Sequence, residues 1–384
     1  MSTVVMRVLH IITSLNDGGA EAVLFRLVSH NSENIHEVIC LTNEGKYGAL
    51  LRNIGVKVTT LDMPRGQLTV SVLLQLWRGV KCSSADVIQT WMYHADLLGG
   101  IVGKLAGVPV VWGIRSTTLN SRYSAGTTWI ARMCALLSRG VPARIVACAN
   151  AALRVHGKLG YDLSRMAVIP NGYDLSRFAP DGEARVRLRS EWGVTEHIPV
   201  IGMVARFDPY KDHSNLITAL GLLKERGRYF KTVLVGMGID EHNRDLVTQI
   251  QCAGLNNKVQ LLGEQRDIPK IMSALDIHTL SSSAEAFPNV LAEAMACGTP
   301  CVATDVGDAA FIVRDTGWIV PPRDSSALAN AIESALSAWQ DREAWRCRQA
   351  RCRERIGSEF DIKAMVRRYC DIWVTVVNNE ILQQ

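Results

Sequence analysis

Short apolar runs alternate with amphipathic segments along almost the whole chain, and this alternation limits the possible fold more than any other feature. The runs are as long as β-strands and are apolar throughout, which is typical of parallel strands buried between helices. Alternating β and α segments predict an α/β fold in which helices cover both faces of a parallel sheet. In the first half, strands are predicted at residues 7–12, 38–41, 56–60, 87–90, 108–112, 144–147 and 167–169, and helices at 20–29, 70–78, 95–106 and 127–138.

The pattern breaks once and then restarts, which predicts two domains. Pro170-Asn171-Gly172 closes the seventh strand, and residues 178–195 are polar with a Pro-Asp-Gly turn. A chain of 384 residues also exceeds what one hydrophobic core usually fills. Beyond the break, strands are predicted at residues 199–205, 232–235, 259–262, 277–280 and 300–303, and helices at 213–225, 241–252, 288–296 and 327–339.

The two predicted domains are doubly wound parallel sheets, each Rossmann-like, covering residues 1–174 and 175–360. Residues 361–384 form a final helix with one apolar face, which we expect to pack back on the first domain. That face is made of Ile362, Met365, Val366, Tyr369 and Trp373.

The composition indicates a globular protein from a reducing compartment. Hydrophobic residues make up 48% of the chain and charged residues 21%, which is not the signature of disorder. The ten cysteines include no C-x-x-C pair, so we expect free thiols and no structural zinc. The chain opens directly into a predicted strand, and no apolar run is long enough to span a bilayer. We therefore expect neither a signal peptide nor a membrane span, and a cytoplasmic protein.

Positive charge is concentrated in the first domain. The net charge is +5, and residues 97–161 contain eight Lys or Arg but no Asp or Glu. Aromatic residues are sparse there and no nucleic-acid motif is present, so we favour contact with an anionic membrane, on the inner face of the plasma membrane, over nucleic acid. The alternative is that the apolar residues pack on the sheet and the arginines are solvated. The candidate acceptor or membrane residues are Arg115, Arg122, Trp129 and Arg132.

Two glutamates flank the start of a predicted helix in the second domain. Glu285 lies in the loop after the strand at residues 277–280, and Pro288 stands where a first helical residue belongs. Glu293 lies about one and a half turns inside the helix. Backbone N–H groups at a helix start suit a phosphate, and flanking carboxylates suit sugar hydroxyls. Spacing alone leaves open whether both glutamates are merely solvated.

Two basic residues follow the first strand of the second domain. Arg206 and Lys211 leave the carboxyl end of that strand just before the next helix. A planar guanidinium and a mobile ammonium together can neutralise a departing diphosphate without a metal. Gly18 and Gly19 follow the first strand of the chain and permit close approach of the backbone, although they do not form a G-x-G-x-x-G motif.

These features together resemble the retaining family-four glycosyltransferases, whose GT-B architecture has two Rossmann-like domains facing across a cleft. The resemblance covers nearly the whole chain and includes the turn at residues 170–174 and the run at 294–304. The two glutamates with Phe-Pro-Asn between them are its specific part, whereas the Gly-Gly loop only supports it.

The resemblance implies a role for each candidate residue. Glu285 would bind hydroxyls of the transferred sugar, helped by backbone amides of Phe287, Asn289 and Val290, and Glu293 would bind the ribose. Arg206 and Lys211 would hold the diphosphate, which Gly18 and Gly19 approach from the first domain. The loop at 264–268, with Arg266, would recognise the base. His94, after the strand at 87–90, would contact the sugar or acceptor.

The implied reaction moves a hexose or N-acetylhexosamine from a nucleotide-sugar, with UDP favoured, to a lipid-linked, lipopolysaccharide or exopolysaccharide acceptor. No metal or other cofactor is expected. The acceptor hydroxyl would attack from the face that the diphosphate leaves, so that the anomeric configuration is retained. A nucleotide-sugar epimerase and a non-catalytic sugar-nucleotide-binding subunit stay open as alternatives, while a nicotinamide dehydrogenase lacks its phosphate motif.

Overall fold

The computed structural model describes residues 5–64, 69–117 and 125–381 and divides the chain into two compact units. The N-terminal unit comprises Met1–Gly172 and Ile362–Gln384, and the C-terminal unit comprises Tyr173–Asp361. From the sequence, the boundaries are placed after residues 174 and 360. In the structure they fall after Gly172 and Asp361.

The N-terminal unit is built on a seven-stranded parallel sheet in the order β3-β2-β1-β4-β5-β6-β7. Its strands are β1 (Arg7–Ile12), β2 (Ile35–Cys40), β3 (Lys57–Thr60), β4 (Val87–Trp91), β5 (Val110–Ile114), β6 (Arg144–Ala147) and β7 (Met166–Val168). Its helices are α1 (Gly19–Ser29), α2 (Gly45–Asn53), α3 (Val70–Ser83), α4 (Tyr93–Ala106), α5 (Ala125–Leu137) and α6 (Asn150–Leu159). The strand order reverses between β1 and β4, and in open α/β sheets ligands bind beyond the carboxyl ends of the strands at such a point.

The C-terminal unit repeats the plan with six parallel strands in the order β10-β9-β8-β11-β12-β13. The strands are β8 (Val200–Val204), β9 (Lys231–Val235), β10 (Val259–Leu261), β11 (Ile277–Leu280), β12 (Cys301–Thr304) and β13 (Trp318–Val320). The helices are α7 (Gly182–Glu191), α8 (His213–Glu225), α9 (Arg244–Cys252), α10 (Ile268–Ala274), α11 (Asn289–Ala296), α12 (Ala309–Val313), α13 (Ser325–Gln340) and α14 (Arg342–Glu359). Two doubly wound parallel sheets confirm the predicted fold class.

The last helix, α15 (Ile362–Ile381), belongs to the N-terminal unit. Trp373 is fully buried, and its indole N–H donates to Gln89 Oε1 at 3.1 Å. Tyr369 is also fully buried and stacks on Trp91 with ring centroids 6.0 Å apart. The predicted apolar face of this helix therefore packs on the first sheet at β1, β2 and β4.

Four helices of the C-terminal unit and one strand have no counterpart in the sequence prediction, namely α7, α10, α12, α14 and β13. The segment predicted as a polar connection contains α7, which Asp181 caps by accepting from the Ala184 N–H at 2.8 Å. α7 buries Arg189, which pairs with Asp276 at 2.8 Å, instead of a row of apolar side chains. An arginine in a core position erases the apolar periodicity that helix prediction relies on.

Within the described part of the chain, no helix is both long enough and apolar enough to cross a membrane.

Lowering the pH should destabilise the C-terminal unit through His278. Its imidazole is fully buried in β11, and burial lowers its pKa from 6.5 to about 3. Between these values the unfolded chain takes up a proton that the folded unit does not, so stability falls as the pH falls, by up to about 1.4 kcal/mol per pH unit. We expect the Tm of His278→Leu to fall less steeply with pH than that of the wild type.

Exposed His242 provides the control, because His242→Leu removes an imidazole from the surface of the same unit. Parallel Tm-against-pH curves for His278→Leu and His242→Leu between pH 6.5 and 4 would contradict this role of His278.

Candidate active site

The candidate site of the C-terminal unit forms where two neighbouring strands end. β8 and β11 pair in parallel at the centre of the sheet, so their carboxyl ends meet at one edge. The loop after β8 covers residues 205–212 and the loop after β11 covers residues 281–288. They are joined by hydrogen bonds from the Ser283 N–H to the Tyr210 carbonyl at 2.7 Å and from Ser281 Oγ to the Lys211 carbonyl at 2.9 Å.

The structure brings two of the predicted catalytic residues, Lys211 and Glu285, into direct contact. Lys211 Nζ lies 2.5 Å from Glu285 Oε1, and Ser282 Oγ donates to the same oxygen at 2.8 Å. The two side chains are only 22% and 14% exposed, so this ion pair is largely shielded from water. A shielded charge pair is held more firmly than an exposed one, because solvent screens it less.

Arg206 occupies a more open position in the same loop. Its side chain is 49% exposed, and its Nε lies 3.3 Å from Asp208 Oδ2. Asp208 is buried, and its other carboxylate oxygen accepts from the Tyr210 N–H at 2.9 Å. Asp208 is not among the residues selected from the sequence, although its place two residues after Arg206 in a tight turn is a usable signal.

Packing and hydrogen bonding fix the amino end of α11. Phe287 is buried against Phe360, with ring centroids 5.7 Å apart, so the side chain anchors the loop and its backbone is what a ligand can reach. Asn289 Oδ1 accepts from the Tyr173 hydroxyl at 2.5 Å, which orients the amide. Pro288 stands at the N-cap, one residue before the expected position. Buried Tyr173 is a contributor that the sequence pattern does not reveal.

The remaining predicted donor residues lie farther along the same sheet edge or helix. Val290 and Glu293 are half-buried on α11. Arg266 is exposed in the loop after β10, the edge strand, and makes no hydrogen bond or ion pair with any residue that the structure describes. The structure therefore does not bring Arg266 into contact with Lys211 or Glu285.

A third loop, after β12, supports the Glu285 loop from behind. The Asp308 N–H donates to the Ala286 carbonyl at 3.0 Å. Gly307 takes a φ of +61°, and a Cβ there would lie 2.3 Å from the Ala286 oxygen. This close approach requires glycine at position 307.

In the N-terminal unit, Gly18 and Gly19 form the start of α1. A Cβ on Gly18 would lie 2.4 Å from Glu21 Oε2, so the glycine makes room for this carboxylate. Glu21 is buried and accepts from Ser14 Oγ at 3.0 Å, and burial raises its pKa. Glu21 is a second residue that the sequence analysis does not select.

His94 is the second residue of α4 and is half-buried, which lowers its pKa. The turn before it is strained, because Met92 has a φ of +72°. Buried Asp96 holds this turn by accepting from Thr90 Oγ1 at 2.6 Å and from the Gly113 N–H at 3.2 Å. Burial raises the pKa of Asp96 to about 7.

The four residues predicted for the acceptor or membrane have different surroundings. Arg115 is half-buried, lies 5.1 Å from the ring centre of Trp91 and donates to Asn171 Oδ1 at 2.8 Å. Trp129 and Arg132 are exposed on α5, with Trp129 60% accessible. Arg122 lies outside the described residues.

Comparisons with known proteins agree on both halves of the chain. Residues 17–177 match the family model described as Glycosyltransferase Family 4, and residues 185–351 match the model described as Glycosyl transferases group 1. Together the two matched segments cover most of the chain.

Two similar curated proteins match this chain over most of their own length. "Putative glycosyltransferase EpsF" of Bacillus subtilis (strain 168) is 28% identical over 78% of this chain and 79% of its own. The "UDP-Gal:alpha-D-GlcNAc-diphosphoundecaprenol alpha-1,3-galactosyltransferase" of Escherichia coli is 26% identical over 80% of each chain. Among solved structures, Anabaena Alr3699/HepE in complex with UDP is 25% identical, with a TM-score of 0.83 over 96% of this chain and 100% of that one.

Substitution of Gly307 tests the support of the Glu285 loop. Gly307→Ala forces both an unfavourable φ and a clash with the Ala286 carbonyl, so we expect a lower Tm and faster hydrogen exchange in residues 281–290. Gly227→Ala is the matched control, because Gly227 has a φ of +72° with nothing within 4 Å of its Cβ position. The φ alone costs about 1–2 kcal/mol, and Gly307→Ala should exceed this cost. Equal losses in the two variants would show that the contact contributes nothing.

Proposed function

This chain belongs to the family-four glycosyltransferases, and on that premise we propose that it moves a hexose or N-acetylhexosamine from a UDP-sugar to a lipid-linked or polysaccharide acceptor. The observation that carries the proposal is the shielded pair of Lys211 and Glu285 where the loops after β8 and β11 meet. The choice of UDP is supported by the UDP complex of the similar Anabaena protein. The acceptor class is supported by the diphosphoundecaprenol named for the Escherichia coli relative.

The ion pair retains the capacity to bind a donor. An ammonium group has three N–H donors, so Lys211 can donate to a phosphate oxygen while it stays beside Glu285. A carboxylate offers about four lone-pair positions, so Glu285 can accept from sugar hydroxyls as well as from Lys211 and Ser282. A nucleotide-sugar could therefore contact Lys211 with its phosphate and Glu285 with the attached sugar, because the two side chains are neighbours.

The reaction that fits these residues needs no resident metal. As the bond between sugar and diphosphate breaks, negative charge grows on the leaving phosphate, and Lys211 and Arg206 stabilise it. The acceptor hydroxyl attacks from the face that the phosphate leaves and passes its proton to that phosphate. This route retains the anomeric configuration. NMR of the anomeric proton in the product tests retention.

Removing the Lys211 ammonium should lower turnover far more than it disturbs the fold. We expect kcat of Lys211→Ala to fall by about 10²–10³, the usual effect of losing one group that stabilises developing charge. Turnover is measured as UDP release from UDP-sugars with a polyprenyl-diphosphate-linked sugar as acceptor, after a thermal-shift panel of UDP, GDP and ADP has identified the nucleotide. EDTA should leave the wild-type rate unchanged.

Lys224→Ala is the matched control, because exposed Lys224 lies in the last turn of α8, away from the predicted donor loops of the same unit. Near-normal turnover in Lys211→Ala would exclude the proposed role, and inhibition by EDTA would exclude the metal-free route. Conversion of the donor sugar without any acceptor would favour an epimerase instead.

We further propose that the N-terminal unit rests on an anionic membrane through the neighbouring helices α3, α4 and α5. α4 packs between α3 and α5. These three helices expose apolar residues and basic residues together, and the one acidic residue in their sequences, Asp96, is buried. The exposed apolar residues are Val70, Leu74, Ile101, Leu105, Trp129 and Leu136, and the exposed basic ones are Arg78, Lys81, Lys104 and Arg132.

Trp129, Arg132 and Leu136 lie on one face of α5, since they are three and four residues apart. Trp129 and Leu136 are 60% and 72% exposed, and exposed apolar side chains that lie together mark interaction surfaces. Apolar side chains beside arginines are the combination that binds the interface of an anionic bilayer. The enzyme would then be a peripheral protein on the inner face of the plasma membrane, where it would meet a lipid-linked acceptor.

Vesicle flotation tests this surface. We expect binding to vesicles that contain anionic lipid and little binding to neutral ones, and we expect Arg132→Gln to weaken binding by roughly fivefold, about 1 kcal/mol. Trp129→Ser with Leu136→Ser should weaken it further. Tyr229→Ser, which removes a 68% exposed aromatic residue from the other unit, is the control. Equal binding to both vesicle types, or to neither, contradicts the proposal.

A further inference from the structure

A cavity lies in the C-terminal unit, at the opposite edge of the sheet from Lys211 and Glu285. Its volume is about 560 Å³, and its lining includes Asp276 and Thr299, which precede β11 and β12. The Glu285 loop and the Gly307 loop that supports it leave the carboxyl ends of these two strands. Strands of four or five residues rise about 3.3 Å per residue, which places the two edges roughly 15 Å apart. The cavity is therefore separate from the candidate active site.

One wall of this cavity is a stripe of α14. Its members recur every three or four residues and so share one helix face: Arg342, Trp345, Arg346, Gln349 and Arg353. Three guanidinium groups are thus aligned along one wall. Like charges four residues apart on a helix repel each other, so this arrangement has a cost unless negative charge compensates it.

The three arginines of the stripe have no carboxylate partner among the described residues. Arg353 donates to the carbonyl oxygens of Phe178 and Ala296, at 2.8 and 2.6 Å. Arg342 donates to the Glu196 carbonyl at 3.1 Å. Arg346 is exposed and makes no hydrogen bond or ion pair within the part of the chain that the structure describes.

The carboxylates that line the cavity are engaged elsewhere. Asp276 accepts from Arg185 and from Arg189, each at 2.8 Å, and Glu196 accepts from Arg185 at 3.1 Å. Asp181 caps α7. The positive charge along α14 is therefore not balanced from within the cavity.

We propose that this cavity binds a small phosphate-bearing molecule, a phosphomonoester or a diphosphate. Guanidinium groups match the oxygen geometry of phosphate, and several of them side by side favour a ligand with more than one negative charge. The volume lies within the range of small-molecule sites. Trp345 is buried in the lining and stacks on Trp318, so it supplies an apolar part of this wall.

The test is isothermal titration of the full chain with pyrophosphate in the presence of saturating UDP, which keeps pyrophosphate out of the donor site. We expect one site to remain, and we expect Arg346→Gln, and more strongly Arg342→Gln with Arg346→Gln, to weaken it, by roughly tenfold for each arginine. Arg346 is exposed, so its substitution should not disturb folding. Arg351→Gln is the control, because Arg351 belongs to the same helix but pairs with Asp315.

A pyrophosphate site that persists under saturating UDP and weakens in the arginine variants supports the proposal. Binding that UDP abolishes, or that the double variant keeps at full strength, overturns the proposal. The same titration of Lys211→Ala without UDP distinguishes this proposal from the proposed function. Lys211→Ala should keep the pyrophosphate site of the cavity, because that site depends on α14 and not on the donor site.

Discussion

The parallel pairing of β8 with β11 is the constraint on which the candidate active site depends. Lys211 and Glu285 are 74 residues apart in the chain, and the adjacent carboxyl ends of these strands place their loops in contact. The 2.5 Å ion pair and the hydrogen bonds from Ser283 to Tyr210 and from Asp308 to Ala286 then hold three loops together. Each loop is fixed by its neighbours, so the charged groups lie in place before any ligand arrives.

The two cations of the site are held with different strength, which suits different tasks. Lys211 is shielded and directly paired with Glu285, whereas half-exposed Arg206 is only bordered by Asp208 at 3.3 Å. In the proposed reaction, the more exposed Arg206 would meet the leaving phosphate, and Lys211, which Glu285 holds, would mark the place where phosphate and sugar join. The carboxylate beside each cation also limits the repulsion that two adjacent positive charges would otherwise cause.

The sequence predicts most strands of the sheets because a strand buried on both faces is mainly apolar. β1, β6 and β11 begin and end where the sequence places them. It also selects Lys211 and Glu285, since loops after strands in α/β folds carry ligands. It does not select Tyr173, Asp208 or Glu21, because their importance comes from burial and from partners that spacing does not identify. Helices α7 and α14 escape prediction because buried or surface arginines interrupt the apolar period.

The arginines of α7 and α14 differ in whether contacts within the protein explain them. Arg189 is fully buried and donates to Asp276 and to three carbonyl oxygens, so its role is to fasten α7 to the sheet. Arg353 similarly fastens α14 to the last turn of α11 through the Ala296 carbonyl. Arg346 has neither kind of partner within the described chain, although it stands on the same stripe as Arg353. Packing therefore explains Arg189 and Arg353 but not Arg346, and an anion in the adjoining cavity supplies the reason that packing does not.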